Sequence, residues 1–382
     1  MGYPGRVSKT TTSRWCNRLL VALAVLAGLL LLGVIALWRL EWKPPPHQLT
    51  ARRGQARRSG APPPSRLDIL SWNIGYAALD READFFMDGG RGVRARNPEQ
   101  VQRNLAAVAE LLRRQQADII MLQEVDRDSS RTFALDQVER LATELPGYQW
   151  SYAPNFRVAW IPVPLWRPLG RVESGLLTMS QFPLASALRH QLPGHYSWPV
   201  RVFHLKRCLQ EIHLPGPDGH DWVIINLHLS AFDQGGRLRR QQMDFLRRLL
   251  VERAARGQHL VVGGDWNQAP PGVGPDSFPH RDPLPGWFQT MPADWLPEGF
   301  QFAFVRQVPS LRATNKPYRP GENFVTVVDG FVLGPGLQVQ QLQCLSLDFE
   351  YSDHHPVRLR VALADAAGST TRPEATGGQE DD

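Results

Sequence analysis

Residues 259–267 read HLVVGGDWN, a short apolar run that ends in Asp265 and Asn267. A short apolar run bounded by turn-forming residues is typical of a buried β-strand. A carboxylate at the end of such a strand is costly to bury unless it meets a cation or a hydrogen-bond donor. The stretch therefore predicts a core strand and, at its carboxyl end, a polar site.

Further apolar segments predict strands that carry similar residues: LDILSWN (67–73), DIIMLQE (118–124), WVIINLHL (222–229), FVTVVDGFVL (324–333) and HPVRLRVAL (355–363). The polar residues in or beside them are Asn73, Glu124, His228, Asp329, Asp353 and His354. Each residue alone is equally typical of a cap, a turn or a structural histidine. These residues can come together only if the ends of their strands share one rim of the fold. Such oxygen and imidazole groups, without thiolates, suit Mg²⁺ or Mn²⁺ and the hydrolysis of phosphate esters.

The helical segments lie between these strands. Asn97-Pro98 predicts a helix start, and an apolar stripe follows it at Val101, Leu105, Val108, Leu111 and Leu112. The segments 134–145 and 238–256 also have helical periodicity. Because several strands lack a crossover helix between them, we expect an α/β fold with a mixed sheet or paired sheets, not a doubly wound parallel sheet.

Composition excludes a wholly disordered chain, a collagen and a disulfide-knotted mini-protein, since the 382 residues are 42% hydrophobic and 21% charged. Residues 1–64 carry a net charge of +9 and residues 364–382 carry −4, which leaves 65–363 almost neutral. A neutral body argues against an electrostatic clamp for nucleic acid. Of three cysteines, Cys208 and Cys344 could pair in an oxidising compartment.

Leu19 to Trp38 is a run of twenty uncharged residues. As a helix with a rise of about 1.5 Å per residue it is long enough to cross a bilayer core. A buried core helix and a cleavable signal peptide are the alternatives. The length of the run and the lack of a clean A-x-A site favour an uncleaved anchor, and we expect the large domain to lie outside the cytoplasm.

The predicted organisation has five parts. They are a basic N-terminal segment (1–18), a transmembrane helix (19–38), a Pro/Arg-rich linker (39–65), a catalytic domain (66–363) and an acidic disordered tail (364–382). The linker is expected to be a stiff tether without a core of its own, because prolines flank it and its centre is basic and polar.

The ordered motifs resemble those of the endonuclease/exonuclease/phosphatase superfamily. The segments that carry the resemblance are SWNIG (71–75), LQEVD (122–126), ESGLLTMSQFP (173–183), NLHLSAFD (226–233), GGDWN (263–267), VVDGFVL (327–333) and SDHHPV (352–357). The resemblance implies a four-layer α/β sandwich, in which two packed mixed β-sheets are flanked by helices. It covers nearly the whole segment 66–363.

The resemblance also implies a metal site and a water-activating group. Asn73, Glu124 and Asp353 are similar to the residues that hold Mg²⁺ or Mn²⁺ in the family. Asp265 is similar to the carboxylate that aligns or deprotonates the attacking water. Asn267 is similar to the donor that binds a phosphoryl oxygen.

Two histidines complete the implied site. His354 is similar to the histidine that contacts the scissile phosphate, and Asp329 to the carboxylate that orients it. His228 is similar to a second histidine of the nuclease-type members, with Glu173 in the position of its polar partner. A carboxylate raises the pKa of a histidine beside it, so both pairs are expected to be proton donors.

The family implies a phosphoester substrate, and the sequence leaves a lipid, a nucleotide and a nucleic acid open. The favoured interpretation is a membrane-anchored phosphodiesterase. A nuclease acting on DNA or RNA is the first alternative, and a catalytically silent binding scaffold with the same fold is the second. The aromatic insertion 148–168 is consistent with a lipid-facing loop, a base-stacking loop or a packed lid.

Overall fold

The computed structural model describes residues 9–60 and 65–364. In this part of the chain there are four α-helices: α1 Lys9–Leu40, α2 Pro98–Gln115, α3 Gln137–Glu144 and α4 Arg237–Ala254. The first strands are β1 His47–Leu49, β2 Arg52–Arg53, β3 Arg66–Asn73, β4 Ile119–Asp126, β5 Gln149–Ile161, β6 Gly170–Ser180, β7 Ser186–Gln191 and β8 Cys208–Leu214. The later strands are β9 Trp222–His228, β10 His259–Asp265, β11 Gln301–Ala303, β12 Leu311–Arg312, β13 Val325–Thr326, β14 Asp329–Leu333, β15 Leu337–Cys344 and β16 Val357–Leu363.

Two seven-stranded sheets contain most of the strands. The first sheet has the order β1-β7-β8-β9-β10-β14-β11, and the second has the order β15-β16-β3-β4-β6-β5-β2. Both are mixed, because β9 and β10 are parallel in the first, β3 and β4 are parallel in the second, and their other neighbours are antiparallel. The expectation of a mixed or paired sheet is confirmed.

The predicted start of α2 illustrates why the helices form where they do. The side chain of Asn97 accepts a hydrogen bond from the backbone N–H of Gln100 at 2.8 Å, and Pro98 occupies the first turn. An N-cap of this kind satisfies one of the backbone donors that the first helical turn leaves free. The apolar stripe that begins at Val101 and Leu105 is buried against the second sheet.

Three apolar layers hold the sandwich together. One lies between the two sheets and includes Ile69 and Leu359 from the second sheet and Ile224 and Phe331 from the first. A second packs α2 and α3 on the outer face of the second sheet, and a third packs α4 on the outer face of the first. The order helix, sheet, sheet, helix is the four-layer α/β sandwich that the resemblance implied.

The segment after α1 is not a free tether, which corrects the prediction for 39–65. β1 pairs with β7 at one edge of the first sheet, and β2 pairs with β5 at one edge of the second. Glu41, which lies between α1 and β1, is buried, and so is Ala56, which follows β2. Short edge pairings satisfy backbone groups locally, so a basic, proline-flanked sequence can still be ordered.

The remaining expectations concern the two ends and the cysteines. The predicted acidic tail is 364–382, of which all but residue 364 lies outside the described residues, as do residues 1–8. Residues Trp15–Leu40 form one helix that is long and apolar enough to cross a membrane and is not buried by the protein. All three cysteines are free, and Cys208 and Cys344 are buried in separate parts of the core, so the two do not pair.

Candidate active site

Three predicted site residues lie side by side across the first sheet. The register of the parallel pair β9 and β10 sets His228 opposite Asp265, and the antiparallel pair β10 and β14 sets Asp265 opposite Asp329. Directly opposed residues project from the same face of a sheet. Asp265, at the carboxyl end of β10, is therefore flanked by a histidine and a second carboxylate.

The second sheet brings its polar residues to the same rim. Asn73 ends β3, and Asp353 and His354 directly precede β16, which is antiparallel to β3. Glu124 lies where the pairing of β4 with β6 is irregular, between Leu122 and Val125, and its backbone has φ of 55°. A bulge with a left-handed residue re-aims a side chain, and positive φ is costly for a non-glycine residue. This local strain turns the Glu124 carboxylate into the cavity at the rim.

A cavity of about 370 Å³ lies at this rim. The predicted site residues that line it are Glu124, His228, Asp265, Asn267, Asp353 and His354. A neighbouring cavity of about 620 Å³ shares Met87 and Phe232 with it but contains none of the predicted site residues. The smaller cavity is therefore the one that contains the predicted site residues.

His354 is held between two carboxylates. Its Nδ1 lies 2.8 Å from Oδ2 of Asp329, and its Nε2 lies 3.7 Å from Oδ2 of Asp265. Ser310 donates a hydrogen bond to the same oxygen of Asp329 at 2.7 Å. Burial alone would lower the pKa of His354, but the two carboxylates outweigh it and raise that pKa to about 10. His354 is thus an imidazolium at neutral pH, with Nε2–H facing the cavity.

Asp265 is the centre of the hydrogen-bond network. Its Oδ2 accepts from Asn73 Nδ2 at 3.0 Å and from Asn267 Nδ2 at 3.2 Å, and its Oδ1 accepts from the backbone N–H of Asn267 at 2.8 Å. Nε2 of His228 lies 3.2 Å from Oδ2. Burial raises the pKa of Asp265 to about 6, and the Asp329 charge adds to the effect, although His354 opposes it. A carboxylate with this pKa is suited to accept a proton near neutrality.

The amide of Asn267 is already engaged in this structure. Besides Asp265, its Nδ2 donates to the backbone carbonyl of Leu229 at 2.9 Å. Its backbone has φ of 51°, another left-handed residue beside the cavity. Asn267 therefore orients Asp265 directly, and the role of phosphoryl donor that the resemblance implied stays a prediction.

His228 differs from its expected form. The carboxylate of Glu173 lies 3.4 Å from Nε of Arg157 and is not part of the cavity wall. Nδ1 of His228 is buried, and no hydrogen-bond partner for it is found among the described residues. Burial, together with the nearby Arg207 charge, lowers the pKa of His228 well below its usual value. The predicted His228–Glu173 pair is thus wrong, because alternation along β6 turns Ser174, not Glu173, towards the cavity.

Two carboxylates at the cavity fit a divalent cation: Asp353, which is buried, and Glu124, whose side chain is 26% exposed. Within the described residues, neither Glu124 nor Asp353 forms an ion pair with a lysine or an arginine. Burial raises the pKa of Asp353 to about 7, and the negative charge of Glu124 contributes. Burial also raises the pKa of Glu124. Unpaired oxygen ligands of this kind suit a hard cation such as Mg²⁺ or Mn²⁺.

A second cluster of potential ligands is less suitable for a metal. Atoms of Asp265, Asp329 and His354 all lie within 4.8 Å of one another. A ligating imidazole must offer a deprotonated nitrogen. Since His354 holds its proton between two carboxylates, this cluster is better described as a proton-relay network than as a cation site.

The cavity also contains an arginine that sequence reasoning missed. Arg207 lines it, and Nη1 of Arg207 is buried without a hydrogen-bond partner among the described residues. Burial lowers the pKa of Arg207, but its guanidinium remains a cation. An unpaired buried guanidinium is suited to a phosphoryl oxygen. The sequence signal was the pair Lys206-Arg207 directly before the apolar strand β8.

The fold and the site together define a class, the α/β-sandwich hydrolases that have their acidic, amide and imidazole groups at one rim of two packed sheets. The model of the endonuclease/exonuclease/phosphatase family matches residues 70–354, and the chain belongs to that family. Enzymes of this family are phosphoesterase hydrolases and typically depend on a divalent metal. The recognised resemblance and the predicted sandwich are confirmed.

Solved structures show the same fold at low sequence identity. An endonuclease/exonuclease/phosphatase from Beutenbergia cavernae DSM 12333 is 20% identical with a TM-score of 0.53, and the match covers 78% of this chain and 72% of that one. One from Bacteroides vulgatus is 15% identical with a TM-score of 0.51, over 78% and 99%. ANGEL2, a 2′,3′-cyclic phosphatase, is also 15% identical with a TM-score of 0.51, over 78% and 96%. A search of curated proteins gives no significant match.

Proposed function

We propose that this protein is a membrane-anchored, divalent-metal-dependent phosphodiesterase that hydrolyses a P–O bond by attack of water. The observation that carries the proposal is the meeting of six predicted residues from both sheets in one cavity. A structural sandwich has no need of buried, unpaired carboxylates at this point, since burying them costs stability.

The proposed reaction uses two poised groups, Asp265 and His354, which lie side by side at the cavity with 3.7 Å between Oδ2 and Nε2. The water oxygen bonds to phosphorus while its proton passes to Asp265, whose pKa of about 6 lets it act as a base. The bond from phosphorus to the leaving oxygen breaks, and that oxygen takes the Nε2 proton of His354. Asp265 then returns its proton to His354 across the 3.7 Å between Oδ2 and Nε2, which restores both groups.

Three residues are proposed to hold Mg²⁺ or Mn²⁺: Glu124 and Asp353 through their carboxylates, and Asn73 through its amide oxygen. A divalent cation there would spread the charge that develops on the phosphoryl oxygens. Arg207 is proposed to contact another phosphoryl oxygen, because its Nη1 has no hydrogen-bond partner in the described part of the chain. Asn267 and Asn73 keep Asp265 in place from two sides.

The proposed anchor is the apolar helix Trp15–Leu40, with the catalytic domain outside the cytoplasm. Lys43 lies 4.6 Å from the ring of Trp38, as expected for a tryptophan and a lysine at a membrane interface. A reporter enzyme active only outside the cytoplasm, fused to the C-terminus, should be active. A reporter that is active only in the cytoplasm should be silent, and the opposite result would reverse the orientation.

The test of the activity uses the full chain and the variant Glu124→Gln. This variant should lose about 10³-fold or more in hydrolysis of bis(p-nitrophenyl) phosphate, since a ligand of the metal is gone. Glu173→Gln is the matched control, because it removes an identical charge from the same domain outside the cavity, and it should stay within about 2-fold. EDTA should inactivate the wild type, and Mg²⁺ or Mn²⁺ should restore it.

The remaining alternatives are separate outcomes of the same assay. A nuclease would cleave single- or double-stranded DNA or RNA faster than the small diester. A silent scaffold would hydrolyse none of these substrates and would bind no Mg²⁺ by calorimetry. Equal activity of the wild type and Glu124→Gln would contradict the assignment of the site.

A further inference from the structure

The hairpin between β5 and β6 ends in an unusual concentration of exposed apolar side chains. We call Trp160, Val163, Leu165 and Trp166 the hairpin tip. Leu165 is 82% exposed and Trp166 is 80% exposed, more than any side chain of the membrane-type helix α1 for which exposure is recorded. Contiguous exposed apolar groups of this size on a soluble surface mark a site of interaction.

The base of the same hairpin is well packed, so the hairpin tip is held in a fixed position. Phe156, Val158, Ile161 and Leu169 are buried in one cluster. The two strands remain hydrogen-bonded out to Ile161 and Gly170. The exposure of the hairpin tip is therefore not that of a frayed loop but that of a supported projection.

This hairpin is connected to the end of helix α1 through one short element. A 3-10 helix at Val200–Phe203 contacts α1, and Phe203 packs against the buried cluster of the hairpin. Arg201 in that element donates to the carboxylate of Glu41, the first residue after α1, with 2.9 Å from Nε to Oε1. Trp198 and Val200 beside it are themselves exposed. The 3-10 helix thus links the end of α1 to the base of the hairpin and has two exposed apolar side chains of its own.

The hairpin also forms one wall of the catalytic cavity. Phe156, Ile161, Val163 and Leu169 line the cavity that contains Glu124 and His228. Val163 belongs to both places, since it is half exposed at the hairpin tip and lines the cavity. An apolar path therefore leads from the hairpin tip to the ionisable groups.

We propose that the hairpin tip inserts into the bilayer that holds helix α1, so that the catalytic cavity takes the phosphoester of a membrane lipid with its acyl chains along the hairpin wall. The identity of the substrate rests on the hydrolysis proposed above, whereas the membrane contact rests only on the proposed anchor α1. Tryptophan and leucine beside an arginine, here Arg167, match the interface between acyl chains and anionic headgroups.

The membrane contact is tested with spin labels on the full chain in vesicles of phosphatidylcholine and phosphatidylglycerol. Cys16→Ser removes the exposed native thiol, and the other two cysteines are buried. A label at Leu165→Cys should collide more often with oxygen than with a water-soluble nickel chelate. A label at Val339→Cys, on the opposite edge strand of the same sheet, is the control and should show the reverse. A water-exposed label at position 165 overturns the proposal.

The substrate is tested with one headgroup in two physical forms. Trp160→Ser/Trp166→Ser should reduce hydrolysis of sphingomyelin or long-chain phosphatidylcholine in vesicles at least 10-fold. It should leave hydrolysis of monomeric dihexanoyl-phosphatidylcholine within 2-fold. The matched double variant Val251→Ser/Val339→Ser removes two exposed apolar groups elsewhere and should change neither rate.

The outcomes separate the membrane contact of the hairpin tip from the hydrolysis of a membrane lipid. Loss on both forms of the lipid would mean that the hairpin supports the site rather than the membrane contact, and the proposal fails. Unchanged rates on vesicles overturn it as well. If no phosphodiester is hydrolysed at all, the proposed function fails, while the spin labels still decide whether the hairpin tip meets the bilayer.

Discussion

Glu41, directly after helix α1, and Asp353, at the rim of the sandwich, are both buried carboxylates with different neighbours. Glu41 lies 3.2 Å from Nζ of Lys206 and 2.9 Å from Nε of Arg201. Burial alone would raise the pKa of Glu41, but these two partners lower it below its usual value. Asp353 has no such partner among the described residues, and burial raises its pKa to about 7.

The contrast separates a structural acid from a functional one. The protein satisfies the charge of Glu41 with its own cations, as a fold that only needs stability must do. At the rim, burial raises the pKa of both Glu124 and Asp353, and the charge of Glu124 adds to the rise at Asp353, which lowers stability. Such an arrangement is consistent with a site whose cation arrives from solution. Four predictions sharpen or break this comparison.

The largest expected effect is on catalysis at Asp265. Asp265→Asn keeps the shape of the side chain but cannot accept a proton from water, so the rate of phosphodiester hydrolysis should fall about 10³-fold or more. Steady-state kinetics on bis(p-nitrophenyl) phosphate would show the loss in kcat. Circular dichroism would check that the fold is intact. A folded variant that keeps more than a tenth of the activity would contradict the role of Asp265 as the base.

The second effect concerns the pH range over which His354 can donate a proton. Asp329 and Asp265 together outweigh burial and raise the pKa of His354 to about 10, so activity of the wild type should persist to alkaline pH. Burial lowers the pKa of His354, and the Asp329 charge opposes this effect. Asp329→Asn removes that charge, so the pKa of His354 falls. The rate at pH 8 should drop about 10²-fold, and the alkaline limb of the pH–rate profile should move to lower pH. A drop without displacement of that limb would leave Asp329 with a structural role only.

The rim was the more predictable of the two regions. Glu124, Asp265 and His354 stand at the ends of apolar strands, and a buried polar residue after an apolar run is visible in a single sequence. The parallel pairing of β3 with β4 and of β9 with β10 then brings these ends together. Both local pattern and sheet geometry point to the same place, which is why the cavity could be anticipated.

The errors arose where the outcome depends on long-range contacts. The order of residues along β6 does not say which face of the strand meets the cavity. The sequence therefore predicts Glu173 as the partner of His228, whereas Ser174 is the residue that lines the cavity. The order of residues in 41–60 does not reveal that β1 and β2 pair with edge strands about 140 and almost 100 residues further along the chain. The sequence does not show that Nη1 of Arg207 is buried, because this depends on how the residues before β8 pack in the fold.

The third prediction concerns the stability cost of the rim. In EDTA, the free energy of unfolding should fall as pH rises from about 4 to about 7, since Asp353 binds its proton more tightly in the folded chain than in the unfolded one. Asp353→Asn should reduce that decline, of which Asp265 and Glu124 keep a part, and stabilise the protein by about 1–3 kcal/mol at pH 8. Chemical denaturation followed by tryptophan fluorescence would measure it. Excess Mg²⁺ should stabilise the wild type more than the variant, and a destabilised variant in EDTA would contradict the prediction.

The smallest expected effect is on the free energy of unfolding and concerns Glu41, directly after α1. Its sign is opposite to that of Asp353→Asn. Glu41→Gln leaves the ammonium of Lys206 buried without its carboxylate, so the free energy of unfolding should fall by about 1–2 kcal/mol, a modest value because Arg201 and Lys43 remain partly in water. Since the folded pKa of Glu41 is lowered, its stabilisation is present above the unfolded pKa of about 4.5 and is lost as pH falls further. Glu139→Gln, an exposed acid with ion-pair distances of 3.8 and 3.9 Å, is the control and should change stability by less than about 0.5 kcal/mol. If Glu41→Gln proved stabilising, like Asp353→Asn in EDTA, the distinction between a satisfied structural acid and an unsatisfied functional one would not hold.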